Sequence, residues 1–188
     1  MLVELIIPTY SRPDLLKCML YSLVSQVNPN WGATVVIDNP DDNKITDLIK
    51  SINDDRIRRI RTDKRYNDWG HTPREIGKQL SSADYIIMTG DDNYYTPNFI
   101  QELHIASITK PGVIYWDMVH SHYDYSYFKC APAFNQIDMG AFATRKDIAH
   151  SIKLNTTYAA DGEYIESIKH KFPTEEMIKI NKVLFVHN

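Results

Sequence analysis

Two cysteines, Cys18 and Cys130, are all the thiol chemistry that these 188 residues carry. They lack the close pairs of a metal site, and two thiols do not make a disulfide framework, so reduced thiols in a cytoplasmic protein are expected. Long apolar runs are missing as well. The longest are strand-sized, far short of the roughly 18 residues that suggest a membrane-spanning helix. The opening Met1-Leu2-Val3-Glu4-Leu5-Ile6-Ile7-Pro8 has no basic region, and an acid interrupts its apolar stretch, unlike a secretory leader. Peripheral membrane association and oligomerisation stay open. Basic excess is absent: 21 Lys and Arg face 24 Asp and Glu, a formal net charge of -3, so no nucleic-acid partner is expected. The one basic cluster, Arg56, Arg58, Arg59, Arg61, Lys64 and Arg65, is flanked by acids and reads as a solvated face before a phosphate patch. Glycine signatures are missing too. The first strand runs into Pro8-Thr9-Tyr10 rather than G-x-G-x-x-G, and no G-x-x-x-x-G-K-[ST] loop exists. Both absences argue against a usual nicotinamide enzyme and a P-loop nucleotidase.

What is present describes one folded domain. Hydrophobic residues make up 43% and charged residues 24%, an ordinary globular mix, and the length allows a full core. Leu2 to Ile7 reads as a buried strand ended by Pro8. Pro13 and Asp14 suit a first helical turn, and Leu16, Leu20 and Leu23 follow at helical spacing. Strands are expected at 33–37, 57–61, 85–88, 113–116 and 182–186, with helices between most of them. Thr72-Pro73-Arg74-Glu75 resembles a helix start, and Asp161-Gly162-Glu163 is expected to precede a helix. Residues 120–134, dense in Tyr, His and Phe, are expected as strand plus mobile loop. The alternation predicts an α/β fold with a mostly parallel sheet flanked by helices and a smaller mixed-sheet region. Residues 1–97 form the expected nucleotide-binding half of the single domain, and 98–188 the acceptor-binding half.

In open α/β sheets ligands bind beyond the carboxyl ends of the strands. Here those ends carry Thr9-Tyr10-Ser11-Arg12, Asp38-Asn39 and Gly90-Asp91-Asp92-Asn93. Adjacent carboxylates after an apolar strand repel unless protonated, solvated or holding a cation. A hard divalent ion, Mn²⁺ or Mg²⁺, suits such oxygens together with substrate phosphates; a solvated Asp-Asp-Asn turn is the plainer alternative. His120 and His122 alternate on one strand face, a pattern for a metal pair or for surface histidines. Tyr10, Trp69 and Trp116 offer stacking surfaces or core packing.

The segment Ile7-Pro8-Thr9-Tyr10-Ser11-Arg12-Pro13, with Leu16, Leu20 and Ser22-Leu23, resembles the opening of family-2-like glycosyltransferases with the GT-A fold. The resemblance spans nearly the whole chain and keeps the motif order. It implies a Rossmann-like nucleotide-diphospho-sugar transferase fold. It implies that Thr9, Tyr10, Arg12, Asp38, Arg74 and Asp91 contact the nucleotide, with Asp38 on the base or ribose. Asp92, helped by Asp91 and His187, would hold the ion. Asp138 would contact the acceptor. Asp161 would be the base that activates it, with Glu163 as the other acid of that motif. The implied reaction moves a hexose from a nucleoside-diphosphate sugar, UDP foremost, to an acceptor hydroxyl on a saccharide or other molecule, with inversion. The metal motif departs from Asp-x-Asp, having Gly at 90 and Asn at 93. A nucleotidyltransferase that makes nucleotide sugars, or a non-catalytic sugar-nucleotide-binding protein, would use the same scaffold.

Overall fold

The computed structural model describes residues 1–188. Strand β1 (Val3–Thr9) is buried along its whole length and lies between two parallel neighbours, which is why it reads as a continuous apolar run. One neighbour is β2 (Trp31–Ile37), which pairs in parallel with β3 (Ile57–Arg61); the other is β4 (Tyr85–Met88). The crossovers are α1 (Pro13–Val24), α2 (Asn43–Ile52) and α3 (His71–Leu80). Helix α1 turns Leu16, Met19, Leu20 and Leu23 inward. Helix α2 is capped by the Asp42 side chain, which accepts from Ile45 N–H at 3.3 Å, and it ends at a left-handed Asn53.

The second half completes the same sheet. After β5 (Tyr94–Tyr95) and α4 (Phe99–Ala106) come β6 (Val113–His120), β7 (Ser126–Phe128) and β8 (Phe142–Arg145), then α5 (Lys146–Ser151), α6 (Ala160–Lys171) and β9 (Met177–His187). The order across the sheet is β3-β2-β1-β4-β8-β6-β9-β5, with β7 beside β6. The expected small mixed region is therefore continuous with the parallel half. Strand β8 runs antiparallel to both β4 and β6, and β9 runs parallel to β6. The carboxyl ends of β1, β2, β3, β4, β6 and β9 consequently share one edge, and the chain entering β8 starts there.

Several boundaries differ from expectation for physical reasons. The last strand begins at Met177 rather than 182, because its first residues pair with Val113–Trp116 before a bulge opposite Trp116 and Asp117. Helix α6 begins at Ala160, so Asp161-Gly162-Glu163 forms its first turn instead of preceding it. Residues 120–134 hold a 3-10 turn at Ser121–Tyr123 and the short β7. Trp116 is fully buried against Phe99 at 4.8 Å and belongs to the core, not to a ligand surface.

Helix α3 packs close to the sheet because Gly77 faces it. A Cβ at Gly77 would collide with Ile6 and come within 3.1 Å of Val36. Gly77→Ala adds about 1 kcal/mol of helix propensity, yet overpacking a tight core costs roughly 1–3 kcal/mol. The expected outcome is net destabilisation, read as a lower midpoint in chemical denaturation. A midpoint at or above the parent's contradicts the close packing.

Candidate active site

Two cavities adjoin at the shared strand edge. The first, about 650 Å³, is lined by Thr9, Tyr10, Arg12, Asp38, Arg65 and Asp92 among others. The second, about 580 Å³, is lined by His120, His122, His187, Asp138, Asp161 and Phe128 among others. Trp69 and Arg74 belong to both and form the ridge between them.

The floor of the first cavity is an ion cluster. Asp91 is fully buried. Its carboxylate accepts from Thr9 Oγ1 at 2.6 Å and pairs with the Arg12 guanidinium, whose Nη1 also reaches Asp92 at 2.9 Å. Burial pushes Asp91 up from the ordinary carboxylate range, opposed by the Thr9 hydrogen bond and the Arg12 charge. Arg12 thus bridges the two adjacent acids and offsets one of their two charges. Asp38, 5% exposed, accepts from Thr62 Oγ1 at 3.4 Å and Tyr66 N–H at 3.0 Å through Oδ1, and from Asn67 N–H at 3.3 Å through Oδ2. It pins the loop after β3 as a wall of the cavity. A carboxylate has about four lone-pair sites, so one on Oδ2 remains for a ligand donor.

That wall carries a residue that sequence reasoning missed. Arg65 sits over the Tyr10 ring, 3.7 Å from its centroid, in cation–π geometry. Three others of the basic cluster brace the fold: Arg56 covers Trp31, Arg58 pairs with buried Glu4, and Arg61 holds Pro40, Asp42 and Thr46. Flanking acids marked the cluster as a solvated face, and nothing in it distinguished position 65. The wall ends at Gly70, whose φ of +80° starts α3 and whose Cα lies against Pro8, leaving no room for a side chain.

Arg74 is fixed from the first turns of α3. Its Nε donates to Thr89 O at 3.1 Å and its Nη1 to Trp69 O at 2.8 Å. Burial lowers its pKa from the ordinary value, and the charges of Asp138, Asp92, Asp91 and Asp161 oppose that shift. The guanidinium stays charged among acids drawn from three separate chain segments.

The second cavity holds the other sequence candidates. Asp138 caps the 3-10 turn Met139–Ala141 through Gly140 N–H at 2.7 Å, and its Oδ2 lies 3.7 Å from His187 Nε2. Asp161 accepts from Gly162 N–H at 2.8 Å. Burial first and the charge of Asp138 second raise its pKa above the ordinary range, outweighing the helix-start amides and Arg74. Glu163 lines neither cavity. It is held by Asn155 at 2.8 Å and Thr157 at 2.9 Å, and these bonds lower its pKa. Of the two acids in that motif only Asp161 lines the second cavity; Glu163 holds the loop ahead of α6. His187 is in the second cavity, stacked 4.0 Å from His120. Burial and His187 push His120 down to about 4.

The divalent ion that the sequence led us to expect can be tested against these side chains. No group of three His, Cys, Asp or Glu residues has metal-site geometry. Asp91 is sealed by Thr9 and Arg12, and the contacts of His187 are to Ser121, Asp138 and His120. Asp92 is the acid that opens on the first cavity. The residues fit an ion shared between one protein carboxylate, water and ligand phosphates, the habit of Mg²⁺, and not an all-protein cage.

The comparisons with known proteins agree with this architecture. Residues 4–152 match the profile described as glycosyl transferase family 2. A search of curated protein sequences gave no match. Among solved structures, S. aureus TarS 1-349 superposes with a TM-score of 0.81 at 13% identity, covering 100% of this chain and 60% of that one. TarS 1-349 in complex with UDP gives 0.79 at 14% identity, over 99% and 60%. The mannosyltransferase PcManGT from Pyrobaculum calidifontis, in complex with GDP-Man and Mn²⁺, gives 0.74 at 14% identity, over 98% and 56%. The likeness is one of GT-A fold, and the chain spans about 60% of the TarS 1-349 length.

Asp161 also makes a stability prediction. Its pKa is higher in the fold than in the unfolded chain, so its ionised form opposes folding at neutral pH and ceases to do so once protonated. Asp161→Asn should raise the melting temperature at pH 7, with the gain shrinking as pH falls toward the ordinary carboxylate range. An unchanged or lower melting temperature at pH 7 contradicts this reading.

Proposed function

The chain belongs to glycosyl transferase family 2, and from that premise we propose that it transfers a hexose from a nucleoside-diphosphate sugar to an acceptor hydroxyl by single displacement. The observation that carries this reading is the pair of cavities meeting at Arg74, with Asp92 in one and Asp161 in the other. The nucleotide occupies the first cavity. The stacked Tyr10–Arg65 pair forms the wall beside its base, and the remaining lone pair of Asp38 receives a base or ribose donor. TarS has been solved with UDP and UDP-GlcNAc, and PcManGT with GDP-Man; uridine is the first choice here.

The diphosphate lies over Arg12 and Asp92, near Arg74. Asp92 would hold a divalent ion, Mn²⁺ or Mg²⁺, which when bound offsets charge on the leaving group. Arg12 would then be released from Asp92 to face the diphosphate, while Asp91, held by Thr9, keeps its direct pairing with the guanidinium. The donor sugar spans the ridge at Trp69 and Arg74. In the second cavity the acceptor hydroxyl attacks the anomeric carbon and its proton passes to Asp161. The bond from that carbon to the diphosphate oxygen breaks on the opposite face, which inverts the anomeric centre. The raised pKa of Asp161 suits it to general-base work. Burial, helped by the charge of Asp138, holds Asp161 at that pKa, and Asp138 orients the acceptor.

Two experiments test the reading. Calorimetric titration of UDP with and without Mn²⁺ should show tighter binding with the ion, and Asp92→Asn should abolish the difference while the fold survives. An ion dependence that persists in the variant removes Asp92 from the role. Asp161→Asn should lower transfer at saturating donor and acceptor by about 10²-fold or more with UDP affinity near the parent's. In the parent, kcat/KM should fall with acid through a midpoint above the ordinary carboxylate range. Near-parent transfer by the variant rules Asp161 out, and pyrophosphate release in place of nucleoside diphosphate marks a nucleotidyltransferase instead.

A further inference from the structure

The second cavity has a wall that the proposed chemistry does not use. Strands β6 and β9 run in parallel and end in register, so His120 and His187 face each other as direct partners. Their rings stack at 4.0 Å with 19° between planes. His122 stands 4.9 Å from His120, Tyr123 5.2 Å from it, and Phe128 stacks on Tyr123 at 5.7 Å. The 3-10 turn after β6 is what folds these rings together. The result is a continuous face of flat, partly exposed rings, opposite the ridge that carries Trp69.

The fixed charges of this cavity are unbalanced in one direction. Arg74 is its only lysine or arginine, and Asp138 and Asp161 also line it. Arg74 is shared with the first cavity and is already surrounded by Asp91, Asp92, Asp138 and Asp161. Two imidazolium rings stacked at 4.0 Å would repel, so the histidine pair cannot supply the missing positive charge as a pair. His122 N–H donates to His120 Nδ1 at 3.2 Å, which assigns the proton of neutral His120 to Nε2 and leaves that N–H as a donor for a hydroxyl. A phosphate or carboxylate here would meet carboxylates without a free cation. A pyranose ring has the matching chemistry, with an apolar C–H face for the rings and hydroxyls for the imidazoles and acids.

We infer that the second cavity is a subsite for an uncharged saccharide acceptor, seated on the His120–His187 pair with Tyr123, and that it discriminates against phosphate-bearing acceptors. This rests on the glycosyltransferase reading and adds the substrate class to it. The test uses the full chain with UDP present and saturation-transfer NMR titrations of methyl hexopyranosides against the matching hexose 6-phosphates. Uncharged glycosides should bind at least tenfold more tightly than the phosphates. His120→Ala should weaken glycoside binding about tenfold, whereas His120→Phe, which keeps a flat ring, should retain most of it. UDP affinity, measured in parallel, should be unchanged in both variants. Phosphates that bind as well as the glycosides overturn the inference. So does glycoside binding that ignores His120→Ala, or an absence of glycoside binding while UDP still binds. Failure of the parent to bind UDP under any ion condition brings down the underlying reading instead.

Discussion

One guanidinium holds this site in shape. Arg74 ties the end of β4, through Thr89 O, to the loop ahead of α3, through Trp69 O. Its charge lies among Asp91, Asp92, Asp138 and Asp161, which arrive from three distant stretches of chain. Without a cation fixed among them, four acids at one sheet edge would repel one another and take up protons. With it they remain close while each keeps a distinct environment. Asp91 is sealed beneath Arg12, Asp92 opens on the first cavity, Asp138 caps a turn beside His187, and Asp161 is desolvated in the second cavity. Similar carboxylates acquire different chemistry because burial and partners differ, not because the side chains do.

The positive charges are economical in the same sense. Arg12 is shared between Asp91 and Asp92 and offsets one of their two charges. Under the proposed function, a ligand that brings its own ion would replace Arg12 at Asp92 and free the guanidinium for phosphate. In the structure itself these acids stand beside Arg12 and Arg74.

Much of this architecture was legible in the sequence, and the limits are instructive. Buried parallel strands read as apolar runs, and the loops that follow them carry the polar residues, so Thr9, Arg12, Asp38 and Asp92 could be placed on one edge before any coordinates. Asp161 and Asp138 were reached through family resemblance, and burial then separated Asp161 from Glu163, two residues away on the same turn. Arg65 was hidden in a basic cluster in which Arg56, Arg58 and Arg61 brace the fold. The His120–His187 stack was invisible because it depends on the register of two strands 67 residues apart, which is fixed beyond a bulge that no local pattern announces. Local periodicity reports which face of an element is buried, and it is silent about which strands become neighbours.

The place of β9 in the sheet has a consequence for how the molecule assembles. It is the last strand in sequence, yet it lies between β6 and β5 and carries His187 to the site. The β3-β2-β1-β4 half rests on neighbouring βαβ units and can form early, whereas β9 must close contacts across long separations, which is slow. Until it docks, the facing edges of β5 and β6 are unpaired and open to strands of other chains. The chain up to β8 therefore carries an unpaired, association-prone edge until β9 docks. The second cavity, which His187 helps to line, takes shape only when that strand seals the sheet.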